Sequence, residues 1–230
     1  MTASQPERAV DQLIGQLTLG PDPVLDAALA ANADAGLAPI DVARNQGKLL
    51  EILVRGARAR RVLEIGTLGG YSTICLARGV GADGTVVTIE RDERAAAVAV
   101  RNLGAAGLAD RVQVRVGAAL DVLPALAEAG GPPFDFAFID ADKQNNVAYV
   151  EWAARLCRPG ALVLVDNVIR AGRILDPEAA AAAGDLGARG SRDLLEHIGT
   201  SDRIDGTAIQ TVGEKGWDGF ALLIVAGDPP

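Results

Sequence analysis

The sequence predicts an α/β protein built on a doubly wound, mostly parallel sheet of seven strands. Before residue 61 the chain shows helical periodicity and no strand-like run, whereas from Arg61 onward short β-rich runs alternate with helix-length stretches. Such alternation is typical of a parallel sheet with helices on both faces. With 230 residues, 49% of them hydrophobic, the chain can bury one sizeable core without disulfides. We therefore expect a single domain over residues 1–230, with an N-terminal helical cap (1–60) and an α/β core (61–230).

The clearest helical signal in the cap begins at Asp41, which is a predicted N-cap. From there, apolar residues recur at helical spacing through Leu49, Leu50, Leu53 and Val54. We expect the whole cap to be helical.

Seven runs carry the strand signal, in the order RVLEIG, VVTIE, VQVRVG, FDFAFID, ALVLVDN, TAIQTV and FALLIVA. The first five alternate with helix-length stretches and are expected to be parallel. Only GEKGWDG separates the last two runs. This is too short for a parallel crossover, so they are predicted to form an antiparallel hairpin at one side of the sheet. The Ala-rich stretch 171–189 could be a helix or a mobile loop, and we expect it to move.

Composition argues against several classes of partner. The net charge of −8 leaves no excess of cations for a phosphate backbone, so nucleic acid is not expected. The chain shows no secretory-signal pattern and no apolar run near the ~20 residues that span a bilayer, so we expect a cytoplasmic protein without membrane contact. Cys75 and Cys157 lie in apolar segments without CxxC spacing and are interpreted as reduced core residues. His197 is interpreted as a helix residue.

A glycine-rich turn follows the first predicted strand, with glycines at positions 66, 69 and 70. Glycine lets a backbone turn pass close to a ligand. The spacing is neither GxGxxG nor GxxxxGK[ST], which disfavours pyrophosphate and triphosphate ligands. The second strand ends in Glu90, whose carboxylate can accept both hydroxyls of a ribose. An ordinary turn and a solvated acid are the alternative for each feature alone; together they favour a site for an adenosine-containing cofactor.

Oxygen-bearing side chains end the fourth and fifth predicted strands. Asp140 closes the fourth and is followed by Asp142 and Lys143, and Asp166-Asn167 closes the fifth. Carboxylates after apolar strands are costly unless they are solvated, paired or bound to a cation. Hard oxygen donors suit Mg²⁺, whereas one histidine and two separated cysteines cannot build a zinc site. The alternative is that these carboxylates cap the next helices or pair with nearby basic side chains.

Four motifs in this order, VLEIGTLGGYS, VVTIERDE, IDADK and LVDNV, resemble the cation-dependent O-methyltransferases. That family includes caffeoyl-coenzyme A and catechol O-methyltransferases and many small bacterial relatives. The resemblance covers about residues 42–226 and implies the class I S-adenosylmethionine methyltransferase fold, which is Rossmann-like, and a homodimer. It also implies S-adenosylmethionine contacts at Val42, Glu64, Gly66, Thr67, Ser72, Glu90, Ala118, Asp140 and Asp142.

The same resemblance implies that Asp140, Asp166 and Asn167 bind Mg²⁺, or another divalent cation such as Ca²⁺ or Mn²⁺. It places Lys143 as the catalytic base, with Asp140 as the second catalytic residue; an ion pair of Lys143 with Asp140 or Asp142 is the alternative. A cation bound to both oxygens of a vicinal diol lowers the pKa of one hydroxyl and fixes its position for in-line attack. The expected reaction is S-adenosylmethionine- and Mg²⁺-dependent methylation of one hydroxyl of a small, catechol-like aromatic diol.

The chain departs from the family pattern at two places. The plant coenzyme A-ester enzymes usually have an aromatic residue shortly after the Asp-Asn pair, but residues 168–172 read VIRAG, which disfavours a coenzyme A-linked substrate. The usual Gly-Asp-Gly near the C-terminus is replaced by GWDG at 216–219, whose Trp217 lines the acceptor pocket or packs under it, with packing slightly favoured. We expect the N-terminal helices and residues 169–192 to cover the site and select the acceptor.

Three other functions remain open at this point. A metal-independent methyltransferase of the same fold would keep its activity in chelator. A nicotinamide-dependent oxidoreductase would be expected to carry GxGxxG. A non-catalytic adenosine-nucleoside sensor would bind the cofactor and turn nothing over.

Overall fold

The structure is a computed structural model that describes residues 5–227. Their backbone forms two compact units, one of Ile14–Phe136 and one of the described residues before 14 and after 136. The single domain expected over residues 1–230 stays a prediction, and residues 1–4 and 228–230 lie outside the described range.

The strands form one seven-stranded mixed sheet in the order β3-β2-β1-β4-β5-β7-β6. β1 and β3 both run parallel to β2, whereas β7 is antiparallel to β5 and β6. The predicted fold class is therefore confirmed, including the C-terminal hairpin. The strands are β1 (Arg61–Ile65), β2 (Thr85–Glu90), β3 (Val112–Val116), β4 (Phe134–Ile139), β5 (Cys157–Asp166), β6 (Ile204–Gly213) and β7 (Gly216–Val225).

Helices precede and separate the strands. The region before β1 is helical, as predicted, and contains three α-helices in its described residues. Two 3-10 helices span Lys143–Asn145 and Arg170–Leu175. The α-helices of the described residues are α1 (Gln5–Thr18), α2 (Pro23–Asp34), α3 (Arg44–Gly56), α4 (Tyr71–Gly79), α5 (Glu93–Ala105), α6 (Ala119–Ala129), α7 (Asn146–Leu156), α8 (Pro177–Ala182) and α9 (Gly187–Ile198).

The central strands are mostly apolar because both faces of a parallel sheet are covered. In β1, Val62, Leu63 and Ile65 have no exposed surface, and the same is true of Phe136 and Phe138 in β4. The outermost strands β3 and β6 are largely exposed or half-buried. The apolar runs in the sequence thus identify the middle of the sheet.

The predicted N-cap at Asp41 is wrong. α3 begins at Arg44 after Ala43, which makes no side-chain capping bond. The Asp41 carboxylate instead accepts a hydrogen bond from Asn32 Nδ2 of α2 at 2.8 Å. A tertiary partner has therefore replaced the local one that the sequence pattern suggested.

The C-terminal hairpin is tighter than its sequence suggested. Gly213 pairs with Gly216, so only Glu214 and Lys215 lie in the turn, and Trp217 and Asp218 belong to β7. Gly216 has φ +97°, which suits the tight turns that join antiparallel strands.

The Ala-rich stretch contains helix, which resolves the alternative left open by the sequence. Asp176 caps α8 through Ala179 N, and a proline occupies its first turn. The mobility expected of this stretch stays a prediction. Between residues 5 and 227, no helix has the length and apolar composition that would cross a bilayer.

Both cysteines are buried thiols, as predicted. Burial raises the pKa of Cys75 to about 12, so this thiol stays protonated and inert near neutral pH. His197 lies in α9, where its Nε2 is 2.9 Å from a Glu151 carboxylate oxygen.

Candidate active site

The turn after β1, residues 66–70, has a left-handed backbone at three positions. Gly66, Leu68 and Gly70 have φ values of +100°, +48° and +88°. This path directs two consecutive backbone amides, Thr67 N and Leu68 N, to one oxygen of Glu90 at 3.1 and 2.8 Å. The glycine-rich turn is therefore tied to the end of β2.

Glu90 has a second role that the sequence did not reveal. It is buried, and its other carboxylate oxygen accepts a hydrogen bond from Asp92 N at 2.9 Å. A carboxylate offers roughly four lone-pair sites, so three backbone donors leave capacity for a ligand hydroxyl. Glu90, the predicted ribose acceptor, thus also organises the turn. Its bonds to Thr67 N and Leu68 N join residues that are 23 and 22 positions apart, so local sequence carries no signal for them.

Glu64 lies at the centre of a buried hydroxyl network. It has no exposed surface, and its oxygens accept hydrogen bonds from Ser72 Oγ at 2.6 Å, Thr73 Oγ1 at 2.5 Å and Thr88 Oγ1 at 2.6 Å. Thr67 Oγ1 lies 2.6 Å from Thr88 Oγ1 and joins the network. Hydrogen bonds to a buried carboxylate offset its desolvation. The structure therefore places Glu64 and Ser72 together and bonds them to each other.

Two asparagines hold the glycine-rich turn from outside, and sequence reasoning missed both. Asn102 Nδ2 of α5 donates to Gly69 O at 2.8 Å and to Asn32 Oδ1 at 3.0 Å. Asn32 and Asn102 are buried. A Cβ at Gly69 would overlap the Asn32 side chain, so glycine is required here for space. The strand-end pattern pointed to the turn, but a single sequence offers no sign of its two buried amide partners.

The remaining predicted cofactor residues of this unit border helices. Val42 is buried two residues before α3, and Ala118 is exposed immediately before α6. Gly117 N donates to Glu90 O at 2.9 Å, which brings the residues after β3 next to the end of β2. Within this unit the structure thus groups Gly66, Thr67, Glu90 and Ala118 around consecutive strand ends.

In the second unit, Lys143 forms an ion pair with Asp140. Nζ and Oδ1 are 2.6 Å apart, and the two side chains are 10% and 21% exposed. The ion pair weighed as the alternative role for Lys143 is therefore present, but it is largely buried. Asp142 accepts hydrogen bonds from Tyr149 OH at 2.6 Å and from Asn145 Nδ2, so its carboxylate is oriented by α7 and the 3-10 helix before it.

β5 ends at Asp166, and Asn167 follows it directly. Asp166 is buried, and its Oδ1 accepts a hydrogen bond from Asn167 N at 2.8 Å. Asn167 has φ +57°, a conformation that asparagine adopts more readily than most residues. Ser191 Oγ of α9 donates to Asn167 O at 3.3 Å. The backbone of the predicted ligand is thus held at both its amide and its carbonyl.

The segment after Asn167 is tied down by an aspartate that the sequence did not single out as a ligand or base. Asp185 makes a bidentate pair with Arg170, and it also pairs with Arg173 at 2.5 Å. Burial alone would raise the pKa of Asp185, but hydrogen bonds from these two arginines outweigh it and lower the pKa below its ordinary value.

Trp217 packs against this segment, as the sequence slightly favoured. A Cβ added to Gly172 would lie 2.8 Å from Trp217 Cη2, and Trp217 Nε1 donates to Gln210 at 2.9 Å. The indole therefore supports the turn after β5 from the hairpin side.

The donor set at these strand ends fits a hard cation. Asp140 and Asp166 supply carboxylates and Asn167 an amide, which are ligands that Mg²⁺ accepts while keeping water or substrate oxygens. Within residues 5–227, no three His, Cys, Asp or Glu side chains cluster as a metal site. A cation here would therefore depend on the Asn167 amide as its third protein ligand.

Asn146, at the start of α7, is a further residue that sequence reasoning missed. It has no exposed surface, and neither of its side-chain polar atoms has a hydrogen-bond partner among the described residues. Such groups are rare in native structures and usually indicate a bound water or ligand.

Comparison with known proteins identifies the family. An O-methyltransferase family model matches residues 22–214. Catechol O-methyltransferase of Mycobacterium tuberculosis is 56% identical over 94% of each chain. The crystal structure of an O-methyltransferase from Bacillus cereus in complex with SAH matches with a TM-score of 0.92 and 47% identity, over 96% of this chain and 99% of that one. TomG from Streptomyces achromogenes, in complex with SAM, matches with a TM-score of 0.91 and 43% identity, over 99% and 100%.

The chain belongs to this O-methyltransferase family. Its fold is that of the class I S-adenosylmethionine-dependent methyltransferases, and the chain is an O-methyltransferase of that class. The family resemblance seen in the four motifs is confirmed. The oxidoreductase and sensor alternatives lose their basis.

Proposed function

We propose that this enzyme transfers the methyl group of S-adenosylmethionine to one hydroxyl of a vicinal diol on a small aromatic molecule, with Mg²⁺, or else Mn²⁺ or Ca²⁺, holding the diol. The observation that carries the proposal is the set of oxygen donors at the ends of neighbouring strands β4 and β5, namely Asp140, Asp166 and Asn167. The similarity to a catechol O-methyltransferase supports the same substrate class.

The cofactor side of the proposal rests on the turn at residues 66–70 and on Glu90. A turn with left-handed residues exposes backbone to a ligand, and Glu90 retains acceptor capacity for ribose hydroxyls. The other cofactor contacts carried over from the family are part of the proposal: Val42, Glu64, Gly66, Thr67, Ser72, Ala118, Asp140 and Asp142.

In the proposed mechanism Lys143, as the neutral amine once the cation has taken its place at Asp140, accepts the proton of the reacting hydroxyl. Its Nζ is 2.6 Å from Asp140 Oδ1, so a proton accepted at Nζ would be held next to a carboxylate. When bound, the cation would lower the pKa of the hydroxyl and polarise its oxygen. Asp140, Asp166 and Asn167 would hold the cation and, through it, the diol, which would restrict the reacting oxygen to one orientation. Transfer would form a bond between this oxygen and the methyl carbon and break the carbon–sulfur bond, which would leave S-adenosylhomocysteine.

The first test is a calorimetric titration of S-adenosylmethionine into chelated and Mg²⁺-loaded protein, followed by methyl transfer to a panel of catechols. We expect cofactor binding and turnover that chelator abolishes. Turnover that survives chelation would favour the metal-independent alternative, and absence of cofactor binding would contradict the whole proposal.

Lys143→Ala tests the base, with Lys215→Ala as a matched control because Lys215 is exposed in the hairpin turn. General-base catalysis contributes about 10²–10⁴-fold, so a loss of that order is expected at neutral pH in the first variant alone. Full activity of Lys143→Ala would end the catalytic role.

The proposed homodimer and cytoplasmic location rest on the sequence and the family. Exposed apolar side chains on α1 and on the outermost strand β6 are consistent with a subunit contact: Val10, Leu13, Leu17, Ile209 and Val212. Light scattering should give twice the chain mass, and a monomer at working concentration would refute the dimer.

A further inference from the structure

The turn after β5, residues 167–172, has an unusual backbone. Asn167, Arg170 and Ala171 have φ values of +57°, +54° and +54°, and Gly172 follows at +79°. Residues with a Cβ seldom adopt these φ values, and three such residues within five positions require support from their surroundings. The first of the three is the proposed cation ligand that supplies the amide.

Asp218 of β7 supplies that support. Its Oδ1 accepts three backbone hydrogen bonds, from Ile169 N at 3.1 Å, Arg170 N at 2.8 Å and Gly219 N at 2.9 Å. Val168 N donates to Gly219 O at 3.0 Å, so the chain after Asn167 is bonded to β7 at three successive amides. Ile169 is buried, so water cannot replace its bond to the carboxylate.

The antiparallel ladder fixes Asp218 itself. It lies in β7 opposite Thr211 of β6, and Asp166 pairs with Phe220, two residues further along the same strand. β7 therefore has two contacts with this region. Its ladder with β5 holds the strand that carries Asp166, and the Asp218 carboxylate holds the turn that follows Asn167. This arrangement couples the direction of the Asn167 backbone to a residue that is not itself a ligand.

We propose that Asp218 is a positioning residue: it fixes the left-handed turn after Asn167 and thereby aims the Asn167 amide at the divalent cation. The inference rests on the proposed function, because it concerns the proposed cation ligands. Partners that orient ligands typically change metal affinity or activity about 10–100-fold when they are removed.

The test uses Mn²⁺ alone as the probe, with binding to the full-length chain followed by electron paramagnetic resonance. Asp218→Ala should weaken Mn²⁺ binding about 10–100-fold and leave S-adenosylmethionine binding unchanged. Asp218→Asn keeps a side-chain oxygen that can accept the same backbone bonds, so it should bind Mn²⁺ like the parent. Asp205→Ala is the matched control, because it removes an equal charge from an exposed position of the same hairpin.

Each outcome decides the matter. Unchanged Mn²⁺ affinity in Asp218→Ala, or an equal loss in Asp205→Ala, overturns the inference while leaving the proposed function intact. A parent protein that binds S-adenosylmethionine but not Mn²⁺ removes the cation from the proposed function and the inference with it. If circular dichroism shows that Asp218→Ala does not fold, Asp218→Ser, whose shorter side chain cannot span to both turn amides, is judged by the same criterion.

Discussion

The turns after β1 and β5 reach left-handed backbone conformations by different means. In residues 66–70, two of the three left-handed positions are glycines, which adopt such conformations at little steric cost. In residues 167–172, three of the four are not glycine. The left-handed backbone of the first turn is therefore favoured by its own glycines, whereas that of the second turn depends on contacts with distant residues.

Both turns nevertheless use the same device, a carboxylate that accepts hydrogen bonds from consecutive backbone amides. Glu90 does this for the first turn and Asp218 for the second. Glu90 is also a proposed cofactor ligand, so its removal would confound two roles. Asp218 is separate from the proposed ligands Asp166 and Asn167, so the support of the second turn can be tested apart from its chemistry.

The largest effect is expected when a proposed cation ligand is removed. Asp166→Ala should lower the rate of methyl transfer at least about 100-fold, because electrostatic stabilisation by a bound cation is worth several kcal/mol. S-adenosylmethionine binding should persist, since the first turn is unaffected. Initial rates on a catechol, with Asp202→Ala as an exposed acidic control, measure this. A variant with parental activity would exclude Asp166 as a ligand.

A side chain at Gly69 is expected to disrupt the turn at residues 66–70, because the space beside this glycine is occupied by Asn32. Gly69→Ala would place a Cβ against the buried Asn32 side chain, and such overpacking should lower the free energy of unfolding by roughly 2–3 kcal/mol and weaken S-adenosylmethionine binding. Urea unfolding and calorimetry give both values.

Gly104→Ala is the matched control for Gly69→Ala and should have the opposite sign. Gly104 lies in α5 with open space where a Cβ would be, so alanine should stabilise the helix by about 0.5–1 kcal/mol. Equal destabilisation by both substitutions would show that the contact with Asn32 is not the cause.

A smaller, pH-dependent effect is expected at Asp185. Because its pKa in the folded state is lowered below the ordinary 3.8, its stabilisation is complete above that pH and is lost as the pH falls through the folded-state pKa. Asp185→Asn should therefore lower the free energy of unfolding by roughly 1–2 kcal/mol at neutral pH. Arg173 is exposed, so solvent screens its ion pair with Asp185 and that pair contributes little. The difference from the parent should shrink in strong acid. Urea midpoints measured from pH 7 to pH 2 test this, and a difference that grew in acid would contradict the sign.

The smallest change in the free energy of unfolding is expected for a substitution that makes the second turn more like the first. Ala171→Gly gives the second turn a glycine at a left-handed position, as the first already has. Relief of the Cβ strain should exceed the added entropy of the unfolded chain, for a gain of about 0.5 kcal/mol in the free energy of unfolding. Thermal unfolding would detect it, and a loss of stability would show that the surrounding contacts already remove the strain.

The sequence by itself determined the class of fold, the helical character of the chain before β1, the seven strands and the oxygen donors at the ends of β4 and β5. These features depend on periodicity and on the residue that ends a strand, which are local properties of the chain. Its motifs also determined the family. The roles of Lys143 and of the individual cofactor contacts stay predictions.

Only the tertiary structure decided which partner each polar side chain takes. In the structure Asp41 accepts a hydrogen bond from Asn32 and does not cap a helix. Glu90 accepts hydrogen bonds from amides of the turn after β1, and Asp218 of β7 accepts them from amides of the turn after β5. These bonds join residues that are 9, 23 and 48 positions apart. The bonds of Glu90 and Asp218 form only after the sheet has brought its strand ends together, and the bond of Asp41 forms only once α2 has met the segment before α3. Local sequence preferences therefore do not encode them.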